Sequence, residues 1–83
     1  MSIKTVYSVL DYLPLNISQV VQKQEVWKNG EVIEIRLRVN QPLQLLSFRN
    51  ELLISNNDNS PLIITKGDLE RAFMILSKNS IYA

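Results

Sequence analysis

Chemistry near neutral pH usually draws on histidine or cysteine, and this sequence contains neither. Without histidine it lacks the usual general base and the commonest metal ligand. Without cysteine, thiolate metal sites and disulfides are excluded. The carboxylates offer two close pairs, Asp68 with Glu70 and Glu31 with Glu34. The first pair falls where a helix begins and complements its dipole. The second flanks a strand. Neither pair converges with a nucleophile, so all four groups read as solvated surface carboxylates. A phosphate-binding loop needs closely spaced glycines followed by Lys and Ser or Thr, so that backbone N–H groups can approach the phosphates. Only Gly30 and Gly67 are present, far apart, and Lys66-Gly67 has no glycine-rich lead-in. The sequence therefore assigns no catalytic, cofactor-binding or metal-binding residue.

The remaining chemistry is that of contact. Arg36 and Arg38 share one face of a strand, with Glu34 in the same row. They form either a surface for an acidic partner or a phosphate, or a solvated face that Glu34 partly neutralises. Ile81 and Tyr82 form a second candidate. Two large apolar residues follow directly on a helix, where a C-terminus usually frays in polar residues. Either more chain follows, or these residues tuck into the core of the module. Trp27 and Tyr12 are of the types enriched at binding hot spots, but in so small a domain they also suit the core. Phe48 and Phe73 read as core.

The elements that must position these residues follow from hydrophobic spacing. Ile3, Val6, Tyr7, Leu10 and Leu13 predict a short helix that Pro14 ends. A second helix, capped by Asn16 or Ser18, carries Ile17, Val20, Val21 and Gln24 and fades near Trp27. Asn29-Gly30 is a turn signal. The period then changes to two, with Ile33, Ile35, Leu37 and Val39 on the buried side of a strand. Asn40-Gln41-Pro42 interrupts it. Leu43 to Phe48 and Glu51 to Ser55 read as a hairpin around Arg49-Asn50. A polar loop spans residues 55 to 60, and Leu62 to Ile64 is extended. Thr65 and Asp68 have the spacing of a capping box. The helix after them buries Leu69, Ala72, Phe73 and Leu76 and stops near Lys78-Asn79.

The 83 residues make one domain at most, with a net charge of +1. That charge gives no general electrostatic case for nucleic acid. The hydrophobic fraction of 46% is too high for a disordered tail. No apolar stretch approaches the roughly 20 residues that a membrane-spanning helix needs, and Met1-Ser2-Ile3-Lys4 does not begin a signal peptide. A cytoplasmic location is the default. The fold class is α+β: two N-terminal helices, a small three- to four-stranded, mainly antiparallel sheet, and a closing helix.

Two stretches, with Tyr12-Leu13-Pro14, carry a family resemblance. One runs from Glu34-Ile35-Arg36-Leu37-Arg38-Val39 through Asn40-Gln41-Pro42-Leu43. The other runs from Ile64-Thr65-Lys66-Gly67-Asp68-Leu69-Glu70-Arg71 on through Ser77-Lys78-Asn79-Ser80-Ile81-Tyr82-Ala83. Together they resemble the N-terminal region of stage III sporulation protein AA, a family of P-loop ATPases of endospore formers related to secretion ATPases. The family usually has Gly at the position of Asn40, and Asn also tolerates the left-handed turn this implies.

The resemblance implies that residues 1–83 are a single N-terminal, non-catalytic domain, ending before the ATPase core. ATP and Mg are expected only in the full-length family. The implied partners are that ATPase domain or neighbouring subunits of a ring, and the proteins of the channel between mother cell and forespore. The implied location is the mother-cell cytoplasm. The resemblance makes the full-length protein an ATPase and leaves the enzymatic status of this chain undecided. The isolated module is expected to fold poorly or to self-associate, because Ile81 and Tyr82 lose their cover. A different class of function, a standalone adaptor or nucleic-acid-binding module, would use the basic strand face of Arg36 and Arg38.

Overall fold

The computed structural model describes residues 1–4 and 9–78. The chain opens with a strand, β1 (Ser2–Lys4), and a 3-10 turn over Val9–Tyr12. Helix α1 (Leu15–Gln22) and the one-turn helix α2 (Glu25–Lys28) follow. Then come β2 (Val32–Arg36), β3 (Gln44–Ser47), β4 (Glu51–Leu53) and the closing helix α3 (Lys66–Lys78). The four strands form one antiparallel sheet in the order β1-β2-β3-β4. The α+β reading holds, with the sheet at the upper end of the expected strand count.

Register explains how the sheet divides its side chains. Ile3 faces Ile35, Ile35 faces Leu45, and Leu45 faces Leu52, so one apolar row crosses all four strands. These positions are buried or half-buried and join Val9, Leu13, Ile17, Val21 and Ala72 in one continuous core. The neighbouring rows hold Ser2, Arg36, Gln44 and Leu53, and Lys4, Glu34, Leu46 and Glu51. The sheet thus packs the helices on one side and leaves a mainly polar side outward. Among the described residues, nine side chains of Val, Ile or Leu are essentially fully enclosed. Each contributes about 1.5–3 kcal/mol relative to exposure, so apolar burial outweighs any single polar contact here.

Local sequence accounts for the element ends. Pro14 is extended at φ −53 and ψ 143, and its carbonyl accepts from Ile17 and Ser18 N–H at 3.0 Å each. The main chain therefore starts α1, and neither Asn16 nor Ser18 caps it as expected. Both lie inside the helix, where Ser18 Oγ donates to the Leu15 carbonyl. Helix α2 ends in a Schellman motif. Glu31 N–H reaches the Val26 carbonyl, Gly30 N–H reaches that of Trp27, and Gly30 sits at φ 72. At the corner after β2, Gln41 N–H bonds the Arg38 carbonyl at 3.0 Å and Asn40 adopts φ 64. Asn40 takes the left-handed position that glycine would fill most easily.

Three further expectations about the fold need correction. The helix over residues 3–13 is not a single element: Ile3 belongs to β1, and among the described residues of that stretch Val9–Tyr12 is helical, as a 3-10 turn. Val6 and Tyr7 lie outside the described residues. The signal that makes Ile3 a strand residue is its partner Ile35, far away in sequence. The alternation of Ile33, Ile35, Leu37 and Val39 also slips. Val39 is exposed because it lies beyond β2 in the turn at Asn40. Ile33 is exposed while Val32 is buried, because the register shifts between Val32 and Glu34. Such a bulge inserts one residue and turns the chain over. Finally, Phe48 and Phe73 are 80% and 62% exposed rather than core. Phe48 sits in the hairpin turn. Phe73 lies off the face of α3 that buries Asp68, Ala72 and Leu76.

Candidate contact site

The wet face of the sheet carries the expected arginines. Arg36 closes β2 opposite Gln44 of β3, and Gln44 in turn lies opposite Leu53 of β4. Arg38 follows in the segment leading to the Asn40 corner. Arg36, Arg38, Gln41, Pro42, Gln44 and Leu53 line a cavity of about 140 Å³. The fold therefore brings the two sequence-predicted arginines to one concavity. Ile81 and Tyr82, the other predicted contact residues, lie outside the described residues.

The polar groups around the cavity are unevenly paired. Arg36 Nη2 lies 3.6 Å from Glu34 Oε2, and the two side chains are 26% and 20% exposed. That distance gives a Coulombic contact without a hydrogen bond. Arg36 Nε is enclosed and has no hydrogen-bond partner among the described residues. Gln44 Nε2 is committed to Glu51 Oε2 at 2.9 Å. Arg38 is exposed and makes no ion pair among the described residues. Pro42 and Leu53 add an apolar wall, and Leu53 is 65% exposed. Leu53 and Gln44 were not legible as site residues, since only the hairpin register brings them to Arg36. Among the described residues, no aromatic side chain lines the cavity for stacking a base.

A second polar cluster sits at the start of α3. The expected capping box forms: Asp68 N–H donates to Thr65 Oγ1 at 3.0 Å, and Thr65 N–H donates to Asp68 Oδ2 at 2.9 Å. Asn16 Nδ2 of α1 donates to Asp68 Oδ1 at 3.2 Å, and Arg71 pairs with the same oxygen. Asp68 is 4% exposed, so the expectation of a solvated carboxylate is wrong for it. Burial pushes this carboxyl up. The hydrogen bonds from Thr65 and Asn16 and the Arg71 charge outweigh that and hold it below the ordinary carboxylate range.

This arrangement also decides what Lys66-Gly67 can do. At the helix start the Thr65 N–H meets the carboxylate of Asp68 and the Asp68 N–H meets the Thr65 hydroxyl, so an incoming phosphate would meet a negative charge there. The residues present do not fit a phosphate cradle. Among the described residues, no group of three or more carboxylate, His or Cys side chains is placed to hold a metal ion. No helix among them is long and apolar enough to cross a membrane.

Comparison with known proteins agrees with the resemblance carried by the arginine strand and the α3 segment. The family described as sporulation stage III, protein AA matches residues 4–83, nearly the whole chain. No curated protein and no solved structure gives a significant match. The chain therefore belongs to the sporulation stage III, protein AA family, and its N-terminal region is the part to which this fold corresponds.

Proposed function

We propose that residues 1–83 act as a single non-catalytic N-terminal domain that works by protein–protein contact in stage III of endospore formation. The observation that carries this reading is the family match over residues 4–83. On this reading the chain packs against an ATPase domain or neighbouring ring subunits of its family in the mother-cell cytoplasm. It thereby serves the channel machinery between mother cell and forespore. ATP and Mg belong to that ATPase part. The absence of closely spaced glycines and the carboxylate at the start of α3 support this division of labour.

The test has two arms. Disrupting the gene in a sporulating host is expected to arrest development at stage III, and re-expression is expected to restore heat-resistant spores. Normal spore yield after disruption would refute the assignment. Mixed with the ATPase portion of a family member, the chain is expected to co-elute on size exclusion. Separate elution at micromolar concentration would remove the ATPase-contact part and leave the sporulation role standing.

A further inference from the structure

We propose that the cavity between Arg36, Arg38 and Leu53 is a docking site for an acidic protein segment, one that presents a carboxylate next to an apolar side chain. The inference rests on the contact role proposed above and names the chemistry of the contact.

The argument starts from Arg36. Its side chain is only 26% exposed, yet its single ion pair is 3.6 Å long and its Nε has no partner among the described residues. A largely enclosed guanidinium is costly to hold without full pairing. Arg36 thus retains hydrogen-bonding capacity that the described residues leave unused, and a ligand would reach it through the exposed part of the guanidinium rather than at the enclosed Nε. Arg38 lines the same cavity without an acidic partner among the described residues. Gln44 does not compete, because its amide is taken by Glu51. Two guanidinium groups flanking one cavity suit a planar oxyanion, which arginine binds through paired N–H groups.

The rest of the lining selects the source of that oxyanion. Pro42 and the exposed Leu53 give the cavity an apolar wall, which suits the side chain beside a glutamate or aspartate. Nucleic acid would require a longer basic track and aromatic platforms. The lining supplies two cations and no aromatic ring, and the net charge is only +1. The charge pattern therefore favours an acidic protein segment over a phosphate backbone.

The probe is a capped peptide of alternating glutamate and leucine, titrated into the full 15N-labelled chain. The control is its glutamine analogue. The Nε–Hε signal of Arg36 is expected to shift and saturate with the acidic peptide alone. Arg36→Gln and Arg38→Gln are each expected to weaken binding about tenfold or more, the loss expected for a charge-assisted pair. If Arg36→Gln fails to fold, the wild-type Arg36 signal and the Arg38→Gln variant still decide. Equal shifts with the glutamine peptide, or no saturation by millimolar peptide, would overturn the proposal. So would an Arg36 shift caused by single-stranded DNA or inorganic phosphate in place of the peptide. A dimer in sedimentation that Arg38→Gln abolishes would make the occupant a second copy, and would equally overturn it. If any of these results accompanied stage III arrest on gene disruption, this site would fail while the sporulation role survived.

Discussion

Among the described residues, two arginine–carboxylate pairs are built in opposite ways. At the start of α3, Asp68 is 4% exposed and accepts from Thr65, Asn16 and Arg71, with its own N–H returned to Thr65. On the outer sheet face, Glu34 and Arg36 stand 3.6 Å apart and a guanidinium N–H goes unpaired among the described residues. The first pair is closed by its own protein and joins α1 to α3. The second is left incomplete beside a cavity. A buried charge with all its partners contributes to stability, whereas an incompletely paired one has capacity left for a partner.

The largest expected difference comes from removing each carboxylate. Asp68→Ala removes the side-chain half of the box, the bond to Asn16 and the partner of Arg71, and is expected to cost about 3 kcal/mol in urea unfolding. If the loss were under about 1 kcal/mol, the claim that α3 is anchored through Asp68 would fail. Next comes Asn16→Ala, which leaves the box intact and cuts only the tie between α1 and α3. It is expected to cost about 1 kcal/mol in the same measurement.

The pH dependence sharpens the contrast. The folded Asp68 carboxyl is held below its unfolded value, so its contribution is fully present above the unfolded pKa. It is lost as pH falls through the folded value. The stability gap between wild type and Asp68→Asn is therefore expected to narrow as pH is lowered from about 6 to about 3. Asp58, held low by the Ser60 hydroxyl and amide, acts in the same direction in both proteins and cancels in the difference. A gap that stayed constant with pH would contradict the assignment. The smallest effect belongs to Glu34→Gln, expected to change stability by about 0.5 kcal/mol or less. A loss as large as that of Asp68→Ala would erase the distinction between the two sites.

What was legible in sequence was local. The Thr65–Asp68 spacing, the Asn29-Gly30 stop and the left-handed tolerance of Asn40 each depend on residues within one turn of chain, and all three appear in the structure. The two arginines were legible as neighbours on one face of the strand because period two carries across two residues whatever lies opposite. The cavity was not, since Gln44 and Leu53 reach it only through pairing of β2, β3 and β4. Burial of Asp68 depends on Asn16, 52 residues away. Ile3 was assigned to a helix for the same reason, its true partner being Ile35. Phe48 and Phe73 show the converse: an aromatic side chain implies burial only on average.

The register shift at the start of β2 has a further consequence, for chain length. Val32 pairs with Ser47 and Glu34 with Leu46, so Ile33 has no residue opposite it. A deletion of Ile33 would regularise the ladder and keep Glu34 and Arg36 outward. A deletion of Ile35, two residues on, would reverse the sides for everything before it and drive Glu34 toward the core. Ile33 is thus a place in this strand where the sheet can lose a residue and still present the same carboxylate and arginine to the outside.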